Sequence, residues 1–279
     1  MGGRSNKRIS FGAFTPNPEI TLKPLQKKLG FPLSIILIFS PWKKDWKRDM
    51  DPFPSRSCRL IIKNKSTPFI KWEPATWTNV PNRMINDFPL DKIAEGLFDK
   101  YIEKWAVEAK KIKKEIWLSF GHEMNGQWYH WAKKREQYKK TFLHIYNVFK
   151  RLNVSNVRWV FCVNNYPLDY MSYFPQVLRK DKKIIIGLDG YNAEGVWGLR
   201  WKPFKQIFDK PYKYVSRNFM DHQLIIAEMG CGEIGGDKQL WINDAFISLK
   251  KKFNKISALI WFNINKEADW RIGNFRIPL

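Results

Sequence analysis

Eight short, almost wholly apolar runs recur along the chain, and amphipathic segments separate most of them. The runs cover residues 9–14, 34–40, 68–72, 116–120, 157–163, 184–188, 224–227 and 258–262, and they are rich in Ile, Val, Phe and Trp. A strand that is apolar on both faces must be covered on both faces, which is the environment of a parallel sheet wrapped by helices. Helical spacing fills the gaps. In residues 91–114, Ile93, Leu97, Tyr101, Ile102, Trp105 and Ala109 recur every three or four positions, which predicts one long helix. In residues 136–152, Tyr138, Phe142, Ile145, Tyr146 and Phe149 do the same. Further helices are predicted over 18–29, 203–219 and 238–253, with a short one over 170–178 and one in 52–64 that starts near Pro54.

Eight such strands alternating with helices predict a (β/α)8 TIM barrel, with residues 1–279 as a single domain. A doubly wound sheet would want a Gly-rich phosphate turn after its first strand, and Gly12-Ala13-Phe14-Thr15-Pro16 is not one. Only residues 263–279 follow the eighth run, so the last helix is expected to be reduced or absent.

Composition narrows the partners. With 49 basic and 26 acidic residues the net charge is +23, a balance that favours polyanions. The lysines are scattered, however, as at Lys110-Lys111, Lys139-Lys140 and Lys182-Lys183, and most fall on predicted helices as solvated faces. Nucleic acid is therefore not the expected partner, while an anionic polymer surface stays open. Cys58, Cys162 and Cys231 show no CxxC spacing, so neither zinc nor a disulfide framework is expected. The apolar run 31–39 is too short to span a bilayer. No leader is read before the first strand, so export is not anticipated from this sequence and the compartment stays open.

The chemistry-bearing residues gather where the predicted strands end, which in this fold is the face that carries active sites. The third run ends in Trp72-Glu73-Pro74, the fourth in His122-Glu123, the fifth in Asn164-Asn165-Tyr166, the sixth in Asp189-Gly190-Tyr191-Asn192, the seventh in Glu228-Met229-Gly230 and the eighth in Trp261-Phe262-Asn263. Glu123 and Glu228 belong to strands across the barrel mouth, so their carboxyls can converge on one bond. Two carboxylates, one ionised and one protonated, are the equipment of glycosidic-bond cleavage. His122 can hydrogen-bond within the site and Tyr191 can hold an ionised Glu228. Aromatic rings stack on sugar faces, and 14 Trp exceed what a core requires.

The stretch Gly121-His122-Glu123-Met124-Asn125-Gly126, followed by Trp128, Tyr129 and Trp131, resembles the acid/base motif of glycoside hydrolase family 26. That family contains β-mannanases, mixed-linkage β-glucanases and some xylanases, and is usually secreted. The resemblance runs from about Phe11 to Trp270 and includes Ile70-Lys71-Trp72-Glu73-Pro74, Gly187-Leu188-Asp189-Gly190-Tyr191-Asn192, Ile226-Ala227-Glu228-Met229-Gly230 and Trp261-Phe262-Asn263. It implies a retaining endo-β-glycanase acting on β-mannan or mixed-linkage β-glucan, with no cofactor or metal. Glu123 would be the acid/base, Glu228 the nucleophile, and His122 and Tyr191 their supports. Trp261 would be a platform under the sugar. Trp128, Trp131, Trp77 and Trp197 would flank it, with Trp72, Glu73, Asn125 and Asp189 as further substrate contacts. The chain departs from the pattern at Ser119, where many members carry Arg, and at His130, where many carry Pro. Losing the guanidinium is expected to raise the carboxylate pKa values. Two alternatives remain: a weak or inactive carbohydrate-binding barrel, and a basic barrel docked on an anionic polymer.

Overall fold

A computed structural model of the chain describes residues 9–45, 47–77 and 84–278. Its centre is a closed parallel barrel. The strands are β1 (Ser10–Phe14), β2 (Ile35–Lys43), β3 (Thr67–Trp77), β5 (Ile116–Phe120), β6 (Val157–Asn164), β7 (Ile185–Asn192), β8 (Gln223–Cys231) and β9 (Ile256–Phe262). They pair in the order β2-β1-β9-β8-β7-β6-β5-β3, and pairing of β2 with β3 closes the ring. The remaining strand, β4 (Met84–Ile85), pairs antiparallel with the end of β3. Helices α1 (Pro18–Leu29), α2 (Ser55–Lys63), α3 (Leu90–Ala94), α4 (Asp99–Lys110), α5 (Arg135–Arg151), α6 (Phe204–Asn218) and α7 (Lys238–Lys251) fill the connections.

Strand alternation sorts the apolar residues into two cores. Phe69, Trp117, Val160, Ile185, Ile225 and Ile260 point into the barrel. Ile70, Leu118, Phe161, Ile186, Ile226 and Leu259, their neighbours in sequence, point outward into the larger core beneath the helices.

Three expectations need correction. The long helix over 91–114 is two helices. Gly96 sits at φ +88°, a left-handed conformation that only glycine adopts cheaply, and it turns the chain between α3 and α4. The segment 170–178 forms two 3-10 turns, Tyr170–Ser172 and Gln176–Leu178, because Pro175 between them lacks the N–H that a continuous helix needs. Strands β3, β7 and β8 also run past their apolar stretches, to Trp77, Asn192 and Cys231. The ladder continues there while the lumen-facing side chains turn polar, so hydrophobicity alone ends the strands too early.

No helix follows β9 among the described residues. Residues 263–278 instead lie against α7 and α1. Gln239 exchanges two hydrogen bonds with the Arg276 backbone, and Lys238 donates to the carbonyls of Asp269 and Arg271. Gly273 lies against Leu25 and Lys28 of α1. Among the described residues no helix is long and apolar enough to cross a membrane.

Candidate active site

Strand β3 places Phe69, Lys71 and Glu73 on its inward face, and β7 does the same with Asp189 and Tyr191. Simple alternation would turn Glu228 of β8 outward, because Ala227 already faces the lumen. A bulge prevents this. Leu188 pairs with Ile226 and Asp189 with Glu228, so Ala227 is an extra residue in β8. The same excess appears on the other side, where Ile226 pairs with Leu259 and Met229 with Trp261. The inserted residue re-aims Glu228 into the barrel mouth.

There both oxygens of the Glu228 carboxyl are engaged. The Lys71 amine donates to Oε1 and the Tyr191 hydroxyl to Oε2. Lys71 also donates to Oδ2 of Asp189 at 2.6 Å, and the Cys162 thiol lies 3.1 Å from Oδ1. Lys71 is fully buried. Burial alone would pull its pKa down, but Asp189, Cys162, Glu228 and Glu123 oppose this and raise it well above the ordinary lysine value. The amine is therefore a fixed positive charge.

Glu123 stands in the turn after β5 at φ +53°. A non-glycine residue there costs about 1–2 kcal/mol, and such strain collects at functional sites. The Glu123 amide donates to the Cys162 carbonyl at 2.8 Å, and Lys133 N–H donates to Met124 O at 2.9 Å, so the turn is pinned from both sides. The carboxyl accepts from Asn164 Nδ2 at 2.8 Å and from Trp128 Nε1 at 2.7 Å. Burial raises its pKa. Lys71 and these two donors pull it down, while Glu228 pushes it up, and the net shift is upward. That is the direction a general acid needs.

His122 does not touch either glutamate. Its Nε2 shares a hydrogen bond of 3.0 Å with the Tyr129 hydroxyl, which burial keeps protonated, and it lies 4.0 Å from Oε1 of Glu73. Burial, with help from Lys71, lowers the imidazole pKa well below its ordinary value, so the ring is neutral. Burial likewise pushes Glu73 up to about 8, against its bond from Trp77 Nε1 at 2.8 Å. Oε1 of Glu73 and Nδ1 of His122 are buried without a protein partner.

The tryptophans divide. Trp128 and Trp197 are 52% and 56% exposed, with Trp197 stacked on buried Trp270 and edge-on to Tyr191. Trp77 is partly exposed beside Glu73. Trp261 was expected to be the platform, but β9 points it outward into the core between barrel and helices, edge-on to Trp241 of α7. Phe262 is the inward residue, stacked on Phe14 and edge-on to Tyr191. Trp72 also points outward and stacks on Trp105 of α4. Trp131 is buried beneath Tyr129 and donates to the His122 carbonyl. Asn125 is buried and braces β6 through the Asn164 amide and the carbonyls of Asn164 and Pro167. Asp189 is buried too and faces Lys71. Four positions left without a role in the sequence reading enter the site: Lys71, Tyr129, Asn164 and Trp270. For Lys71 the signal was a lone charge at an inward position of an apolar strand.

A parallel barrel that presents two buried glutamates and exposed indoles at its C-terminal mouth has the form of a carbohydrate-cleaving barrel. Comparison with known proteins agrees. A profile described as glycosyl hydrolase family 26 matches residues 64–221. Endoglucanase H of Acetivibrio thermocellus is 33% identical over 289 aligned residues, which cover 98% of this chain and 30% of that protein. The chain thus spans under a third of that relative's length. Two solved structures share the fold: a Bacillus subtilis mannanase (TM-score 0.71, 17% identity, 98% of this chain and 84% of that one) and a Bacteroides ovatus family 26 β-mannanase (TM-score 0.70, 15% identity, 98% and 85%). The chain belongs to glycosyl hydrolase family 26.

Proposed function

We propose that this chain is a retaining endo-β-glycanase, that its barrel is one catalytic unit, and that β-glucan is its preferred polymer ahead of β-mannan. The observation that carries the reading is the contrast between the two glutamates. Glu228 is clasped by a buried cation and a phenol, whereas Glu123 is buried in surroundings that favour its protonated form. In the first step a Glu228 oxygen bonds to the anomeric carbon, the bond to the leaving oxygen breaks, and Glu123 gives that oxygen its proton. In the second, water attacks the same carbon, Glu123 takes its proton, and the ester to Glu228 breaks. Two inversions retain the configuration. No step calls on a metal or cofactor.

Trp197 over Trp270, together with Trp128, offers exposed faces for neighbouring sugars. Protonated Glu73 has a free oxygen and can donate to a sugar hydroxyl. The order of substrates follows the relatives: the one at 33% identity is named an endoglucanase, while the mannanases share the fold at 15–17%. Product chromatography after incubation with lichenan, β-mannan, galactomannan and β-1,3-xylan tests the reading. Short oligosaccharides from lichenan, first released as the β-anomer by proton NMR, are expected. No product from any polymer would leave a binding barrel, and an α-anomer would refute retention.

A further inference from the structure

Ser119 and Lys71 are cross-strand partners on the inner faces of β5 and β3. The Ser119 hydroxyl is buried with no partner, so this level of the barrel holds a small side chain on one strand and a long cation on the next. We propose that Lys71 is a positioning residue for hydrolysis, aiming Glu228 and holding it ionised, and that it supplies from β3 the positive charge Ser119 does not supply from β5. The proposal rests on Glu228 being the nucleophile.

The geometry supports a role beyond packing. Lys71 binds one Glu228 oxygen while Tyr191 binds the other, so rotation of the carboxyl breaks a bond at one end. Asp189 anchors the amine from the far side at 2.6 Å. The amine keeps that partner when Glu228 becomes an ester and loses its charge. A lysine with Glu228 alone would be stranded at that stage. The groups facing this cluster are Asp189 and Tyr191 from β7, Cys162 from β6, Glu73 from β3, and neutral His122, Glu123 and Tyr129 after β5. Lys71 is the buried cation among them, and with the Tyr191 hydroxyl on the other oxygen it favours an ionised Glu228.

Two variants decide the matter: Lys71→Met, and Lys71→Ser combined with Ser119→Lys, which moves the amine one strand over. One readout needs no substrate. Enzyme carrying carboxyl-13C glutamate is titrated by NMR, and the Glu228 signal is assigned by its loss in Glu228→Gln. The second is the pH profile of kcat/KM on lichenan. In Lys71→Met the Glu228 midpoint is expected to rise by about one pH unit or more. The acid limb of kcat/KM should move with it, while KM changes less than about threefold. The relocated amine should return both toward wild type. A folded Lys71→Met whose midpoint stays in place overturns the proposal, as does a folded relocated variant that fails to restore it. If Lys71→Met does not fold, the relocated variant decides: a wild-type midpoint supports the role, and a displaced midpoint or a second failure to fold reduces Lys71 to a structural ion pair. If the wild type cleaves no glycan, the functional reading fails while the NMR titration still reports on Lys71.

Discussion

Each glutamate in the mouth carries its own prediction. Replacing Glu228 by Ala should abolish glycan hydrolysis while the protein stays folded by circular dichroism. Replacing Glu123 by Ala should slow cleavage of polysaccharide by about 10²–10⁴-fold, the usual contribution of a general acid. It should spare the first step on aryl glycosides, whose leaving groups need no proton. Glu73 is tested through stability instead. Its carboxyl is raised from about 4.5 to about 8, so the folded state binds a proton that the unfolded state releases. The stability tied to that proton is present below pH 4.5 and disappears as pH rises through 8. Glu73→Gln keeps an acceptor for Trp77 and cannot ionise. Urea melts at pH 5 and pH 8 should show the variant gaining on the wild type at the higher pH, by a few kcal/mol as an order of magnitude. Equal behaviour at both pH values would mean that Glu73 is ionised in the folded protein.

The turn after β5 works as one element, and two of its residues can be tested together. A Cβ on Gly126 would lie 2.6 Å from Cζ2 of Trp128, so Gly126→Ala must displace the indole. The indole N–H that lowers the Glu123 pKa moves with it. Both Gly126→Ala and Trp128→Phe should therefore shift the basic limb of kcat/KM to higher pH, and the former should also raise KM; an unmoved limb in both would separate Trp128 from the acid. Other elements show how far sequence can be read. The barrel followed from eight apolar runs because parallel strands buried on two faces leave a strong local signal. The position of Glu228 was equally plain, but its inward aim depends on a bulge at Ala227, which leaves no mark in hydrophobicity. The resemblance to family 26 implies that Trp72 and Trp261 contact the sugar. Whether they face the lumen or the helices depends on strand parity, and both face the helices. Nothing in the sequence gives Lys71 its role, because its partner Glu228 is 157 residues away and only closure of the barrel brings them together.

At the scale of the molecule, most of the excess charge on the described residues lies away from the site, although exposed Lys266 reaches Glu73 electrostatically. The net charge is +23, and many of the described lysines lie exposed on outer helix faces and turns, as with Lys110, Lys113, Lys205 and Lys252. Among the described residues two buried lysines are engaged internally: Lys71 by carboxylates, and Lys238 by the carbonyls of the C-terminal segment that packs on α7 and α1. Exposed charges are screened by salt over a Debye length of about 10 Å at 0.1 M, whereas buried pairs are screened far less. The two should therefore respond differently to ionic strength. Retention on polygalacturonate in affinity electrophoresis should fall steeply between about 50 and 500 mM NaCl, while initial rates on neutral lichenan should change by less than about twofold. Retention that survives high salt would place the acidic polymer in the aromatic groove, because stacking on Trp128 and Trp197 has no counterions to lose. A lichenan rate that collapses with salt would instead show that the ion cluster around Lys71 opens to solvent during turnover.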